Sequence, residues 1–272
     1  PMERVCVVRG DTATTPYGAG SWSSRSIFHE GNAVVRACRD AKRKMFTIAA
    51  PILGISSDEL ETGDDRIYRK FLPSTNISWA DLFVPGIPVA KEGTEIVGYG
   101  SYISPIVLED DNGQSERMCV YYAYCAYGVE IAINIETGQV KVLRCVGAAD
   151  MGQPINPAMC EGQIESGMAM GIGLGMYEEM KFSNGIPLNP TFMDYKLPTV
   201  DEIPIGDNMK SFLCGDPFEE GPFGAKGLGE STLSAIAPAI SNAIYNATGI
   251  RLHNQPISRD TIWKALKASK SK

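Results

Sequence analysis

Apolar positions recur at two different periods along this chain, and the periods mark where strands and helices are expected. The branched run Val5 to Val8, closed by Gly10-Asp11, predicts a short strand. From Glu30 to Ala50, Ala33, Val34, Ala37, Ala41, Met45 and Ile48 fall on one face at helical spacing. Tyr121 to Ile135 alternates as a long strand, Glu136-Thr137-Gly138-Gln139 supplies a hairpin turn, and Val140 to Val146 returns. A second helix is expected over Ala158 to Met180. A third runs from about Leu233 to Tyr245, with Leu233, Ile236, Ala237, Ile240 and Ile244 inward, Ser231-Thr232 as its cap and Pro238 as a kink. Ile250 to Ser258 predicts a last strand and Arg259 to Lys267 a last helix, with Lys267 to Lys272 frayed.

The stretches between are less patterned. Ile67-Tyr68 suggests a short strand, Ser78-Trp79-Ala80-Asp81-Leu82 a helix start, and Gly86 to Gly98 a loop. Glu109 to Glu116 reads as solvated acid rather than a metal site. Pro187, Pro190, Pro198 and Pro204 argue for a segment that wraps a surface. The helix over 158–180 carries Gly162, Gly167, Gly171, Gly173 and Gly175, and such a helix is expected to lie close against another backbone. Strands and helices in mixed order predict an α+β fold, mixed sheets with packed helices. The 272 residues form one unit or two subdomains, with a boundary near 110–120 or 185–205.

Composition narrows the function classes. A 44% hydrophobic chain can build a substantial core, and a net charge of −7 without a basic stripe speaks against a nucleic-acid groove. Seven cysteines at long spacings, with no CxxC pair, fit reduced thiols in the cytoplasm better than a disulfide framework. Two distant histidines, His29 and His253, leave little for a histidine metal site or a Ser-His-Asp triad. No apolar run is long enough to span a membrane and no signal peptide is visible. The opening Pro1-Met2-Glu3-Arg4 enters patterned sequence at once, as a piece of a larger unit would.

Two stretches carry candidate chemistry. Gly221-Pro222-Phe223-Gly224-Ala225-Lys226-Gly227-Leu228-Gly229-Glu230 places an acid behind four glycines that let main chain approach a ligand closely. The plainer reading makes Glu230 an acid complementing a helix start. Thr14 to Ser26 is a loop of small and hydroxyl residues leading into a helix, where successive amides and the Arg25 guanidinium suit an anion. A solvated surface linker is the equal alternative for that stretch. A simple nucleotide-binding loop is disfavoured, since neither GxxxxGK[ST] nor a strand-preceded GxGxxG is present.

Three segments in order, Asp150-Met151-Gly152-Gln153-Pro154-Ile155-Asn156-Pro157 through Gly162-Gln163-Ile164-Glu165-Ser166-Gly167 to Glu178-Glu179, then Phe192-Met193-Asp194-Tyr195-Lys196-Leu197-Pro198-Thr199, then Gly224 to Glu230, point to one family. Together they resemble the C-terminal part of the molybdenum-binding subunit of the xanthine dehydrogenase and aldehyde oxidase family, the molybdenum hydroxylases. The resemblance implies that Glu230 is the general base that activates the oxygen nucleophile for attack on an electron-poor carbon. It implies pterin contacts at Gly162 and Gln163, and a phosphate-side loop at Ser23, Ser24, Arg25 and Ser26. At Lys226, Gly227, Gly229 and Ser231 it implies residues that shape the pocket or bind the cofactor. Trp22 is expected in the core, with a place in the pocket wall as the alternative. No protein side chain is expected to ligate the metal.

The implied cofactor is molybdenum-molybdopterin, either plain or as the cytosine dinucleotide. The implied activity is hydroxylation of an N-heterocycle of xanthine, purine or nicotinate type with water as oxygen source, or oxidation of an aldehyde or carbon monoxide. The family's upstream half, its iron–sulfur domains and its flavin domain have no counterpart here, and no cysteine has cluster spacing. Partners are therefore expected to be the other half of the molybdenum subunit together with iron–sulfur and FAD subunits. A non-catalytic interaction module binding through Pro187 to Pro204 is the alternative from another class.

Overall fold

The computed structural model describes residues 2–83 and 95–270; the loop expected over Gly86 to Gly98 lies largely outside them, as do Ser271 and Lys272. The chain divides into two compact units, one of Pro1–Ser21 and His29–Pro105 and one of Trp22–Phe28 and Ile106–Lys272.

In the first unit a long helix, α1 (Ser26–Leu53), most of whose length belongs here, stands with a three-stranded antiparallel sheet, β1 (Leu60–Gly63), β2 (Arg66–Arg69) and β3 (Leu72–Ser78). Asp64 and Asp65 both take positive φ, as the two-residue turn between β1 and β2 requires. Ala49, Leu60, Ile67 and Leu82 form the buried centre, with Met45, Ile48 and Trp79 packed on it. Ala33, Ala37 and Ala41 do face inward, but Val34 is exposed. The alanines leave room for the returning chain, because a Cβ on Gly98 or Gly100 would stand 2.2 Å from Ala37 O or 2.3 Å from Ala33 O. Asp40 gathers Arg43, Lys44 and the Tyr99 amide, which together hold its carboxyl well below the usual carboxylate range. The helix start expected at Ser78 is a single 3-10 turn over Ala80–Phe83, with Ser78 Oγ accepting from Asp81 N. Val5 to Val8 form no strand: they are exposed and pair with no other segment among the described residues.

In the second unit β4 (Cys125–Ile133) and β5 (Val140–Asp150) make the expected hairpin, shorter at its start and longer at its end than the pattern suggested. Asn134 closes its turn, accepting from Glu136 N and Thr137 N through Oδ1 and from Gly138 N through its carbonyl. Then comes α2 (Pro157–Met176), entered through the Asn156 side chain, which accepts from Met159 N, with Pro157 in the first turn. Every fourth residue of its middle is glycine. A Cβ on Gly167 would meet Thr232 Oγ1 at 2.3 Å, one on Gly171 would meet Ile236 at 2.6 Å, and one on Gly175 would touch Ala237 at 3.1 Å. These glycines therefore let α2 lie on the 232–237 segment, the close approach expected of them.

A two-residue hairpin follows, β6 (Phe182–Ser183) with β7 (Ile186–Pro187), and then β8 (Met209–Cys214), which pairs parallel to β5 in the order β4-β5-β8. The third helix, α3 (Ile236–Thr248), begins three residues later than expected. Thr232 does not cap it; its hydroxyl donates to Gly229 O, and Pro238 sits harmlessly in the first turn. Residues 250–258 are irregular rather than a strand, and α4 (Arg259–Lys270) closes the unit. The core joins Cys145 and Ala149 of β5, Ile164, Met168 and Ile172 of α2, and Ile236, Ile240 and Ile244 of α3. No helix among the described residues is long and apolar enough to cross a membrane.

Candidate active site

The glycine loop of the second unit is tied at both ends. At its start, Gly224 O accepts from Gln153 N and Phe218 N, and Lys226 N donates to Met151 O, fixing the loop to the chain leaving β5. The Lys226 ammonium lies 2.7 Å from Asp150 Oδ2, with side chains only 12% and 16% exposed, and also donates to Tyr122 O. Lys226 thus anchors the loop to the end of β5 and offers little of its charge to solvent.

At its end the main chain around Glu230 is held by side chains from distant segments. Gly229 O accepts from Gln163 Nε2 at 3.1 Å and from Thr232 Oγ1 at 3.1 Å. Glu230 N donates to Ser24 Oγ at 2.8 Å. Ser231 O accepts from Cys125 Sγ at 3.2 Å and from Ser234 Oγ at 3.1 Å. The Glu230 carboxylate, by contrast, is exposed, with Ser24 Oγ 3.4 Å from Oε2. Its backbone is fixed while its side chain is exposed.

Ser23 and Ser24 both take positive φ, 52° and 55°, a conformation costing about 1 kcal/mol or more per non-glycine residue. The strain is held by the contact with the glycine loop: Tyr121 Oη donates to Ser24 O at 3.1 Å, and Gly227 passes beneath the same carbonyl. A Cβ on Gly227 would stand 1.8 Å from Ser24 O and one on Gly229 3.3 Å from Ser24 Oγ, so glycine is required at the first, while at the second a methyl group fits once the Ser24 hydroxyl gives by a few tenths of an ångström. Arg25 lies over the Trp22 ring, 4.9 Å from its centroid, and Ser26 opens α1. Trp22 is 60% exposed and not in the core, a correction to the expected placement: its ring packs against the Arg25 guanidinium, a charged group that favours contact with water over burial.

The structure thus brings Ser24, Gln163, Gly227, Gly229 and Glu230 together. Gly162 stands one residue from Gln163 on an exposed face of α2, with nothing within 4 Å of where a Cβ would be. Ser231 Oγ is shut from solvent and meets no hydrogen-bond partner among the described residues. A buried hydroxyl without a partner and a helix glycine with no internal reason to be glycine both fit a bound group that contributes polar atoms and needs close approach. No three His, Cys, Asp or Glu side chains among the described residues are grouped to hold a metal. The site's donors are hydroxyls, amides and a carboxamide, a set suited to the organic part of a cofactor.

A family model of the molybdopterin cofactor-binding domain matches residues 1–204, three quarters of the chain. The chain belongs to that family. The carbon monoxide dehydrogenase large chain of Afipia carboxidovorans is 32% identical over 253 residues, covering 91% of this chain and 29% of that protein. A protein of Escherichia coli K12 named probable hypoxanthine oxidase XdhD is 28% identical over 267 residues, covering 98% of this chain and 26% of its own length. The crystal structure of Cu,Mo-CO dehydrogenase in its carbon monoxide reduced state superposes with a TM-score of 0.78 at 29% identity, over 94% of this chain and 31% of that one. The α+β fold and the molybdenum hydroxylase relationship follow from these matches. The chain spans less than a third of the length of each of these three relatives. The loop from Gly221 to Glu230 lies beyond the family model but within the match to the E. coli protein.

Sequence reasoning missed Tyr121, Cys125 and Thr232. Each acts through a main-chain atom, Ser24 O, Ser231 O and Gly229 O, and no motif marks a side chain whose partner is backbone.

Proposed function

We propose that the chain forms the C-terminal part of the molybdenum site of an oxidoreductase that hydroxylates an N-heterocycle of purine or nicotinate type, with water as the oxygen source. The observation that carries the reading is the asymmetry at Glu230, whose amide is fixed by Ser24 Oγ at 2.8 Å while its carboxylate remains exposed. A general base needs that combination of set position and accessible oxygen. Bound here, the molybdenum cofactor would supply the two-electron chemistry. Glu230 takes the proton of the attacking oxygen at a carboxylate oxygen, and Ser24 Oγ beside Oε2 orients that carboxylate. Gln163 and Gly162 receive the pterin on the exposed end of α2, and Ser231 Oγ finds its missing partner there. Ser23, Ser24, Arg25 and Ser26 face the phosphate side, or the cytosine dinucleotide where that form is used. Gly227 and Gly229 give the close approach, and Lys226 holds the loop to Asp150.

The likeness to a carbon monoxide dehydrogenase large chain supports a second reading, oxidation of carbon monoxide or an aldehyde by the same site. Iron–sulfur and FAD subunits and the remaining portion of the molybdenum subunit are the proposed partners, since electrons must leave the site and all seven cysteines here are free and scattered. The free thiols fit the cytoplasm. The test is Glu230→Gln in the assembled enzyme, assayed against purines, nicotinate, small aldehydes and carbon monoxide. Molybdenum content stays at the wild-type level while turnover on the true substrate falls about 100-fold or more. Full turnover in this variant would remove Glu230 as the base.

A further inference from the structure

Tyr121 lies four residues before β4 and belongs to none of the motifs that mark the site. Its ring is packed on Phe28, which is fully buried, with centroids 4.9 Å apart, and on Phe218 at 6.3 Å. The hydroxyl emerges from this aromatic group where two strained loops cross. It donates to Ser24 O at 3.1 Å and lies against Gly227, where a Cβ would stand 2.3 Å from Oη, so one phenol sits between the Ser23-Ser24 turn and the glycine loop. Burial pushes the phenol's pKa up against the smaller opposing effect of the Gly227 main chain, so the hydroxyl keeps its proton and remains a donor.

The next link is Ser24 itself. With its carbonyl pinned and φ held at 55°, its Oγ lies 2.8 Å from Glu230 N and 3.4 Å from Glu230 Oε2. Ser24 therefore touches both the main chain and the carboxylate of Glu230, and Tyr121 decides where Ser24 stands. We propose that Tyr121 is a positioning residue for the Glu230 carboxylate, acting through Ser24 while touching no reacting atom. The proposal rests on Glu230 being the base.

Tyr121→Phe in the assembled enzyme tests it, because phenylalanine keeps the packing on Phe28 and Phe218 and removes only the hydroxyl. Hydrogen exchange at the Glu230 amide is expected to quicken about tenfold, the size of an ordinary lost hydrogen bond, while exchange within α2 stays as in wild type. Turnover per bound molybdenum is expected to fall about 10- to 100-fold with KM within about twofold, as for a misplaced catalytic group. Combined with Ser24→Ala, the loss should be less than the product of the two single losses, because both act on one tether. Unchanged exchange at Glu230, faster exchange throughout α2, or multiplicative losses would each overturn the positioning role. Glu230→Gln in the same preparation separates the two ideas: if it leaves turnover intact the base reading falls, whereas a loss there beside a silent Tyr121→Phe sinks this one alone.

Discussion

Gly227→Ala gives the sharpest physical test of how the two loops are held. The added Cβ would stand 1.8 Å from Ser24 O and 2.3 Å from Tyr121 Oη. A carbon meets a carbonyl oxygen comfortably only from about 3.3 Å, so the two must part by roughly 1.5 Å. Neither neighbour is the loose end of a flexible chain: one is backbone at positive φ, the other a ring packed on Phe28 and Phe218. A retreat of that size breaks the Tyr121–Ser24 bond at 3.1 Å and draws Ser24 Oγ away from Glu230 N at 2.8 Å. At about 1 kcal/mol net for each bond, and more where a partner is left unsatisfied, the cost is about 2–4 kcal/mol. Urea unfolding of the purified chain followed by circular dichroism reads this directly. Gly229→Ala, whose Cβ would come no nearer than 3.3 Å to its closest neighbour, the rotatable Ser24 hydroxyl, serves as the milder comparison and should cost about 1 kcal/mol or less. If Gly227→Ala unfolds within about 0.5 kcal/mol of wild type, ordinary scatter for a surface change, the loops are not locked as described.

Other perturbations separate stability from cofactor binding. Gly162→Ala should stabilise α2 by about 1 kcal/mol, since the position is helical and open, yet lower molybdenum content after gel filtration; full occupancy would end the pterin role of Gly162. Lys226→Ala leaves Asp150 largely shielded with the Gly152 amide as its remaining close donor, and should cost about 3 kcal/mol. Replacing both partners by Met and Leu should restore most of that loss, and a double variant as unstable as the single would refute the account. Alkaline pH should loosen the second unit in two stages. Burial pushes the Cys145 thiol from 9.0 up to about 11. It likewise pushes Tyr127 and Tyr177 from 10.0 up to about 12, with Glu202 adding to the effect at Tyr177. Each fold-stabilised form is the neutral one, so their contribution is intact below the unfolded values and is lost as pH climbs from 9 to 11 for the thiol and from 10 to 12 for the phenols. A urea midpoint unchanged through that window would contradict the burial.

What was legible in the sequence was local. The β4-β5 hairpin and α4 follow from period and turn chemistry within about a dozen residues, as does the glycine stripe of α2. Val5 to Val8 have the composition of a strand, but a strand exists only where another lies beside it. β8 failed in the opposite way. It turns Met209, Ser211 and Leu213 inward and Lys210, Phe212 and Cys214 outward, so a polar residue inside and an aromatic outside cancel the alternation. The hydroxyl of Thr232 could equally have capped a helix or bonded Gly229 O, and the choice was made by Gly167, whose bare Cα admits Thr232 against α2. Around the candidate site the glycine stretch ahead of Glu230 stands out locally while Gln163 enters only through the family resemblance, and the clamp on Ser24 joins residues 97 positions apart and leaves no local trace.

The contrast at Glu230 also bears on which parts of a working site this chain can supply. A carboxylate in water is a weak and unselective base, and its usefulness grows as water is excluded and its partner is held in line. Five side chains, those of Gln163, Thr232, Ser24, Cys125 and Ser234, fix the main chain from Gly229 to Ser231, while the Glu230 carboxylate stays exposed. The main-chain position is therefore set by side chains of this chain itself. Under the proposed reading, water exclusion comes with the cofactor and the remaining part of the molybdenum subunit, and binding should change the surroundings of the acid group far more than its position. Hydrogen exchange at the Glu230 amide should then be nearly the same with and without bound molybdenum cofactor, whereas modification of the carboxylate by a water-soluble carbodiimide should slow about tenfold or more on loading, as expected for a group taken out of water. An amide that becomes protected only on loading would mean that the cofactor, and not Ser24, sets the position of the base.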